Sequence, residues 1–272
     1  MKTPFLLCLL ITFCGLSPVV AQQDATGEPV APWWEIGAGL ALVNIPHYPG
    51  ASQSSLLAAP FPYPVYHSER INLDEEGLVA SLAETGRFSL KVSLNGSLPV
   101  SDSDNDARVG MEDLDLMVET GPSLHISLRQ WESAELRFEL PIRAAFRVSD
   151  SLTPVYTGWT SNPGLYYETD VGAWQWESSI GAIWSSSTYH AFFYDVDAEY
   201  VTATRSQYQS EGGFTGWRSS LTLKRRWGDF IGIGYVRYMN FSGAANASSP
   251  LLIESNYLAG GLSLIYMLYS SK

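Results

Sequence analysis

Every second residue from Leu136 to Val148 is apolar, and most of the residues between them are charged. Leu136, Phe138, Leu140, Ile142, Ala144, Phe146 and Val148 form one set. Glu135, Arg137, Glu139, Pro141, Arg143, Ala145 and Arg147 form the other. A side-chain period of two belongs to a β-strand with one oily face and one ionic face. The alternation recurs along the chain. Trp34, Ile36, Ala38, Leu40 and Leu42 share a face near the start. Phe88, Leu90, Val92, Leu94 and Leu98 alternate with Ser89, Lys91, Ser93, Asn95 and Ser97. Further strands are predicted over 114–128, 156–168, 172–184, 215–227, 230–240 and 257–268.

The links between these strands alternate in length. Those at 129–133, 169–171 and 228–229 are short, and those at 101–112, 185–213 and 241–255 are long. Short turns at one end and long loops at the other are the habit of membrane barrels. This parity predicts an all-β, up-and-down antiparallel transmembrane barrel of 10–12 strands. Twelve are reached if 57–84 or 185–213 adds a hairpin. Pro60, Pro62 and Pro64 cannot donate to a ladder and argue against a central strand there. Pro122 and Pro141 fall within strands and are expected to be relieved by bulges.

Which face points inward decides the class. Soluble strands run about 5–6 residues, whereas the alternation from Glu135 continues to Val148. Tilted, such a strand covers on the order of 35 Å, enough for a lipid band of ~25 Å. Only four lysines occur in the whole chain, few for a water-exposed charged face. The oily face is therefore expected to meet lipid. Glu135, Arg137, Glu139, Arg143, Arg147, Arg218, Lys224 and Arg226 would then line the lumen. The basic stripe of Arg218, Lys224 and Arg226 either forms an anion-attracting wall or pairs with carboxylates such as Glu119, Glu135 and Glu139. A narrow, side-chain-filled lumen favours pairing.

Composition agrees with this reading. Aromatic residues make up 13% of the chain, with 9 Trp and 15 Tyr. Trp33, Trp34, Trp131, Trp159, Trp184, Trp217 and Trp227 fall near strand ends, where membrane girdles sit. Lys2, the apolar run Phe5–Phe13 and the small residues to Ala21 read as a cleaved signal peptide, 1–21. Residues 22–32 read as a flexible leader, and 33–272 as one barrel domain in the outer membrane. Both cysteines, Cys8 and Cys14, lie in the signal, so no thiol chemistry is expected afterwards. A net charge of −12 excludes nucleic acid as a partner.

Candidate chemistry is thin. Asp102, Asp104 and Asp106 have the spacing of a calcium loop, but Ala107 replaces the turn glycine and Asp113 the closing glutamate. A solvated acidic loop is the expectation. His125 and Ser127 share a strand face, yet no Asp or Asn stands ready to orient the histidine as a base. His47, His67 and His190 are too scattered to suggest a metal site. No catalytic residue, metal or cofactor is expected.

The segments "GAGLALVNIPHYPGAS", "PFPYPVYHSE", "RVGMEDLDLMVETGPSL", "LPIRAAF", "YHAFFYDVDAEY", "RSQYQSEGGF" and "YMNFSGAANASSPL" resemble the successive landmarks of the MltA-interacting protein (MipA/OmpV) family. The resemblance spans Trp34 to Leu268. It implies an outer-membrane β-barrel surrounded by lipid and without enzymatic activity. It also implies a scaffold that joins a lytic transglycosylase to a murein synthase. The alternative is a narrow solute channel or a surface-exposed binding or adhesion barrel.

Overall fold

A computed structural model describes residues 33–67, 71–74, 77–149 and 152–271. The expected signal peptide (1–21) and leader (22–32) lie outside the described residues. The strands are β1 (Trp33–Pro46), β2 (Ser54–His67), β3 (Ile71–Asp74), β4 (Gly77–Thr85), β5 (Phe88–Ser97), β6 (Leu116–Gln130) and β7 (Ala134–Val148). They continue as β8 (Pro154–Ser161), β9 (Gly164–Val171), β10 (Trp174–Ser185), β11 (Gly213–Trp227), β12 (Phe230–Asn240) and β13 (Asn256–Ser270). All pair antiparallel in one sheet. Its last strand returns to its first through rungs such as Leu42↔Leu262 and Leu40↔Leu264, which closes the barrel.

β8 and β9 lie end to end, interrupted at Asn162 and Pro163, and both pair with β7 and β10. Among the described residues the strands thus fill twelve positions around the wall, the upper end of the expected range. The additional hairpin is β3–β4. The 185–213 stretch instead carries a helix, α1 (Ser187–Tyr194), and a 3-10 turn, Ala198–Tyr200. Ser186 starts α1, its Oγ accepting from the Tyr189 amide at 3.2 Å.

The oily face points outward. In β13, Leu262 is 66% exposed while Ile265 is fully buried. Exposed Ile36, Leu40 and Leu42 alternate with buried Glu35, Gly37, Ala41 and Val43 along β1. Trp34, Trp131, Trp174 and Trp227 ring the short-turn end, and Trp159, Trp184 and Trp217 lie toward the loop end. Trp33 differs from the girdle expectation, because it turns inward and packs with Tyr63 and Val65.

Three local expectations are corrected. Residues 54–67, prolines included, form one regular strand paired with β1 from Trp33↔His67 to Pro46↔Ser54. Antiparallel ladders alternate bonded and non-bonded pairs. Pro60, Pro62 and Pro64 share one parity, and the ladder runs unbroken through them. They therefore occupy the non-bonded positions, where the backbone nitrogen points away from β1 and no donor is missed. At Pro122 and Pro141 no bulge forms. The β6–β7 ladder omits two rungs between Thr120↔Ala144 and Ser123↔Pro141 without changing register. Finally, the interior is not charged all round. Tyr63, Val65, Ile231, Ile233, Ile265 and Met267, from β2, β12 and β13, form an apolar inner cluster.

Candidate functional site

Besides the apolar inner cluster, two assemblies occupy the interior of the described residues: an ionic belt across β6–β10 and a loop cap over the outer mouth. The belt centres on Arg137, which is 3% exposed. Its Nε donates to Glu139 Oε1 at 2.6 Å, Nη1 to Glu168 Oε2 at 2.8 Å and Nη2 to Glu177 Oε2 at 2.6 Å. The guanidinium also lies 5.3 Å from the centre of the Tyr166 ring. One rigid fork thus ties β7 to itself, to β9 and to β10. Charge-assisted bonds of this length are the strong kind, and the fork geometry is specific to arginine.

Arg143 lies three rungs of alternation above Arg137 on β7. Its Nη1 and Nη2 both donate to Asn162 Oδ1 at 2.7 Å, and Nε donates to Ser93 Oγ at 2.8 Å. Asn162 is the break between β8 and β9, so the interrupted strand supplies the acceptor. Glu119 accepts from Asn95 Nδ2 at 2.9 Å and from the Tyr189 hydroxyl at 2.7 Å, with Arg143 Nη1 at 3.7 Å. That second bond joins the wall to α1.

The cap is a small core of its own. Tyr48 and Ala51 from the β1–β2 loop and Leu114 from the β5–β6 loop enter it. Phe193, Tyr194 and Val196 from the α1 segment and Leu251 from the β12–β13 loop complete it, above Met117 and Ala145 of the wall. The Tyr48 hydroxyl donates to Leu251 O and the Tyr194 hydroxyl to Pro49 O, each at 2.9 Å. Arg205 Nη1 donates to Ala107 O at 2.7 Å and Arg108 Nη1 to Phe193 O at 3.1 Å. Burial beneath these loops pushes the Tyr48 hydroxyl up to about 12 and lowers the Arg108 guanidinium from its ordinary value. Four loops with few apolar residues each thus share one buried centre.

The remaining expected lumen residues are spread along the axis. Glu135 sits near the short-turn end, 3.5 Å from Gln130 Nε2. Arg226 Nη1 reaches Glu35 of β1 at 2.9 Å, a pair half-exposed on the arginine side. Arg218 and Lys224 lie half-buried on the same face of β11, and Arg147 half-buried near the loop end of β7. The geometry brings Arg137 and Glu139 together, and it does not bring Glu135, Arg147 or Arg218 into that contact. Glu168, Glu177 and Glu119 are the partners that sequence reasoning missed or left unassigned. The first two interrupt the apolar strands "GLYYETDV" and "WQWESSIGAIWS", which was the available signal.

The other candidates take simple places. His125 Nδ1 lies 3.3 Å from Glu139 Oε1 without hydrogen-bond geometry, and Ser127 makes no hydrogen bond to it. In the acidic loop, Asp113 Oδ1 accepts from the Asp102 amide at 2.7 Å and Asp102 Oδ2 accepts from the Gly110 amide at 2.9 Å. These carboxylates close their own turn. Among the described residues no group of three or more His, Cys, Asp or Glu side chains gathers as a metal site.

A closed antiparallel wall with an oily exterior, aromatic girdles and an ionic belt inside defines a transmembrane β-barrel of the outer-membrane type. No helix among the described residues is long and apolar enough to cross a membrane. The chain belongs to the MltA-interacting protein MipA family, whose model matches residues 37–268. No curated protein matches it. Among solved structures, an outer-membrane channel from Pseudomonas putida F1 is similar over 92% of this chain and 100% of its own, with TM-score 0.38 and 12% identity. The NanC porin covers 87% of this chain and 100% of its own, with TM-score 0.37 and 7% identity. The toluene transporter TodX of Pseudomonas putida covers 89% and 90%, with TM-score 0.36 and 8% identity. At TM-scores this low, likeness carries no information on a cargo for this chain.

Proposed function

We propose that this barrel is a non-enzymatic platform that docks periplasmic murein-processing enzymes, a lytic transglycosylase and a murein synthase. In this reading a cleaved signal peptide, 1–21, exports the chain, and leader 22–32 and the short turns face the periplasm. Family membership over 37–268 is the observation that carries it. The interior supports a platform over an open pore. The mouth is covered by the Tyr48–Leu251 core, and the Arg137 fork crosses the inner face of β7, β9 and β10. At the turn end, a shallow recess of about 380 Å3 lined by Gly86, Arg87, Ser127, Leu128, Arg129 and Gln130 offers a basic contact surface.

Immobilised, detergent-solubilised barrel is expected to retain both enzymes from solution, and Arg87→Glu with Arg129→Glu to weaken that retention. Retention no greater than that of an unrelated barrel overturns the proposal. In the other reading, of a narrow solute channel or surface-binding barrel, Arg218 and Lys224 line the path. Planar bilayers separate the two: the platform is expected to be silent, and steady single-channel steps would favour the channel.

A further inference from the structure

The cations of the wall divide unevenly between its two faces. Most strand-borne Lys and Arg side chains point inward. Among the described residues two point outward, Arg129 and Arg225, and both stand at the short-turn end. Arg129 is there through a break in alternation. By count it shares the inward parity of His125 and Ser127. The β6–β7 ladder shifts register between Ser127↔Arg137 and Arg129↔Leu136, and this bulge turns Arg129 to the oily face of Leu136. Its guanidinium lies over the ring of Trp131, 5.2 Å from the centre, and Trp131 meets Tyr167 edge-on at 6.2 Å.

Arg225 has a more complete seat. On one side it pairs with Trp174 of β10, and its guanidinium lies over that ring at 5.3 Å. On the other side it pairs with Gly232 of β12. A Cβ on Gly232 would stand 2.6 Å from Cη2 of Trp227. The missing side chain lets the Trp227 ring rest against the wall beside Arg225. Among the described residues neither arginine forms a hydrogen bond or ion pair through its side chain, and Glu132 and Asp229 of the adjacent turns do not pair with them.

Depth identifies what surrounds this seat. Trp217 and Trp227 of β11 bound about 25 Å of tilted strand, the height of the lipid band. Arg225 therefore stands at the short-turn boundary of that band. Leu223 and Leu221 follow on the same face toward the bilayer centre, with Trp176 beside Leu223. A guanidinium held over an indole keeps its N–H edge for an anion, and its fork matches phosphate. Headgroup phosphate is the anion found at that depth, and an acyl chain attached to it would run along Trp176 and the leucines.

We infer that Arg225, between Trp174 and Trp227, seats the headgroup of an anionic phospholipid, and that Arg129 on Trp131 seats a second. Four strand spacings separate the two arginines, about 19 Å, so each takes its own lipid. Arg129 also borders the recess proposed for docking. Arg225 does not, so it carries the test, and no enzyme is present in it. Full-length protein in detergent, each variant first shown to be folded by heat-modifiable gel migration, is titrated with phosphatidylglycerol or phosphatidylethanolamine. Native mass spectrometry counts the bound lipids. The first two phosphatidylglycerol steps are expected to be about fivefold tighter than those of phosphatidylethanolamine. Arg225→Gln is expected to remove one selective step and Arg129→Gln the other. Arg87→Gln, which takes the same charge from the same end, is expected to leave both, and glycerol phosphate at equal concentration is expected not to compete. Equal affinity for the two lipids, or both selective steps surviving in Arg225→Gln, overturns the seat. So does an equal loss in Arg87→Gln, which would reduce the effect to net charge, or competition by glycerol phosphate, which would make the site one for free phosphate.

Discussion

Arg137 Nη2 and Glu177 Oε2 stand 2.6 Å apart inside the barrel, on β7 and β10, with β9 between them. The guanidinium of Arg137 is 4% exposed and the carboxylate of Glu177 2%. Each is tolerable there because of the other. Breaking a buried pair by removing one partner costs roughly 3–5 kcal/mol, since the charge left behind keeps its desolvation penalty. Arg137→Met is expected to lose about that much in a urea titration of the folded barrel in lipid. Adding Glu139→Gln, Glu168→Gln and Glu177→Gln is expected to restore part of it. A combined variant less stable than Arg137→Met alone would refute the electrostatic account.

The outward direction of the oily face can be tested by depth. Leu262 lies midway along β13 and faces outward, while Leu268 faces outward near its end. Leu262→Arg is expected to destabilise by about 2–4 kcal/mol and Leu268→Arg by no more than about 1. The measurement is the same urea titration. Equal small costs at both sites would mean that Leu262 faces water.

How far such features could be read in advance depends on whether one strand carries the whole signal. β7 does: its seven alternating apolar residues and its arginines fixed both faces before any partner was known. β12 and β13 do not. "FIGIGYVRYMN" and "YLAGGLSLIYML" are apolar on both faces, so alternation could not reveal that Ile231, Ile233 and Ile265 pack inward against Tyr63. The prolines of β2 were legible as missing donors, but that all three turn their nitrogens away from β1 depends on the β1–β2 register, which is a property of pairing. The cap was illegible for a different reason. Tyr48, Leu114, Tyr194 and Leu251 are dispersed through four loops, and the local helix signal in "SSTYHAFFY" spans barely two turns.

The cap should respond to the loss of a single buried bond. Tyr48→Phe leaves the Leu251 carbonyl without its donor, a cost of roughly 1–3 kcal/mol for a buried acceptor. Faster amide hydrogen exchange in 47–53 and 241–255 is expected, with β12 and β13 exchanging as before. The hydroxyl also sets an alkaline limit. Its folded value of about 12 lies above the ordinary 10, so the stability it contributes is full below about pH 10 and is lost as pH rises through the folded value. Tyr48→Phe should therefore flatten the alkaline loss of protection in these loops, and an unchanged profile would discard the assignment.

The acidic limit of the cap is set by His190. Its ring is 1% exposed, with Nδ1 at 2.7 Å from Glu211 O and Nε2 at 2.8 Å from Thr215 Oγ1. A carbonyl can only accept, so Nδ1 carries the proton, and in the neutral ring the Thr215 hydroxyl donates to Nε2. Burial lowers the proton affinity of the ring below the ordinary value of 6.5. An opened cap restores that value, so the opened form binds more protons at acidic pH. The contribution of His190 is therefore complete above about pH 6.5 and falls as pH drops through the folded value. Hydrogen exchange across 186–215, corrected for intrinsic rates, should show more opening at pH 5 than at pH 7.5. In His190→Gln, which cannot be protonated, the same comparison should be flat. Parallel pH slopes in the two proteins would place the acid-sensitive group elsewhere in the cap.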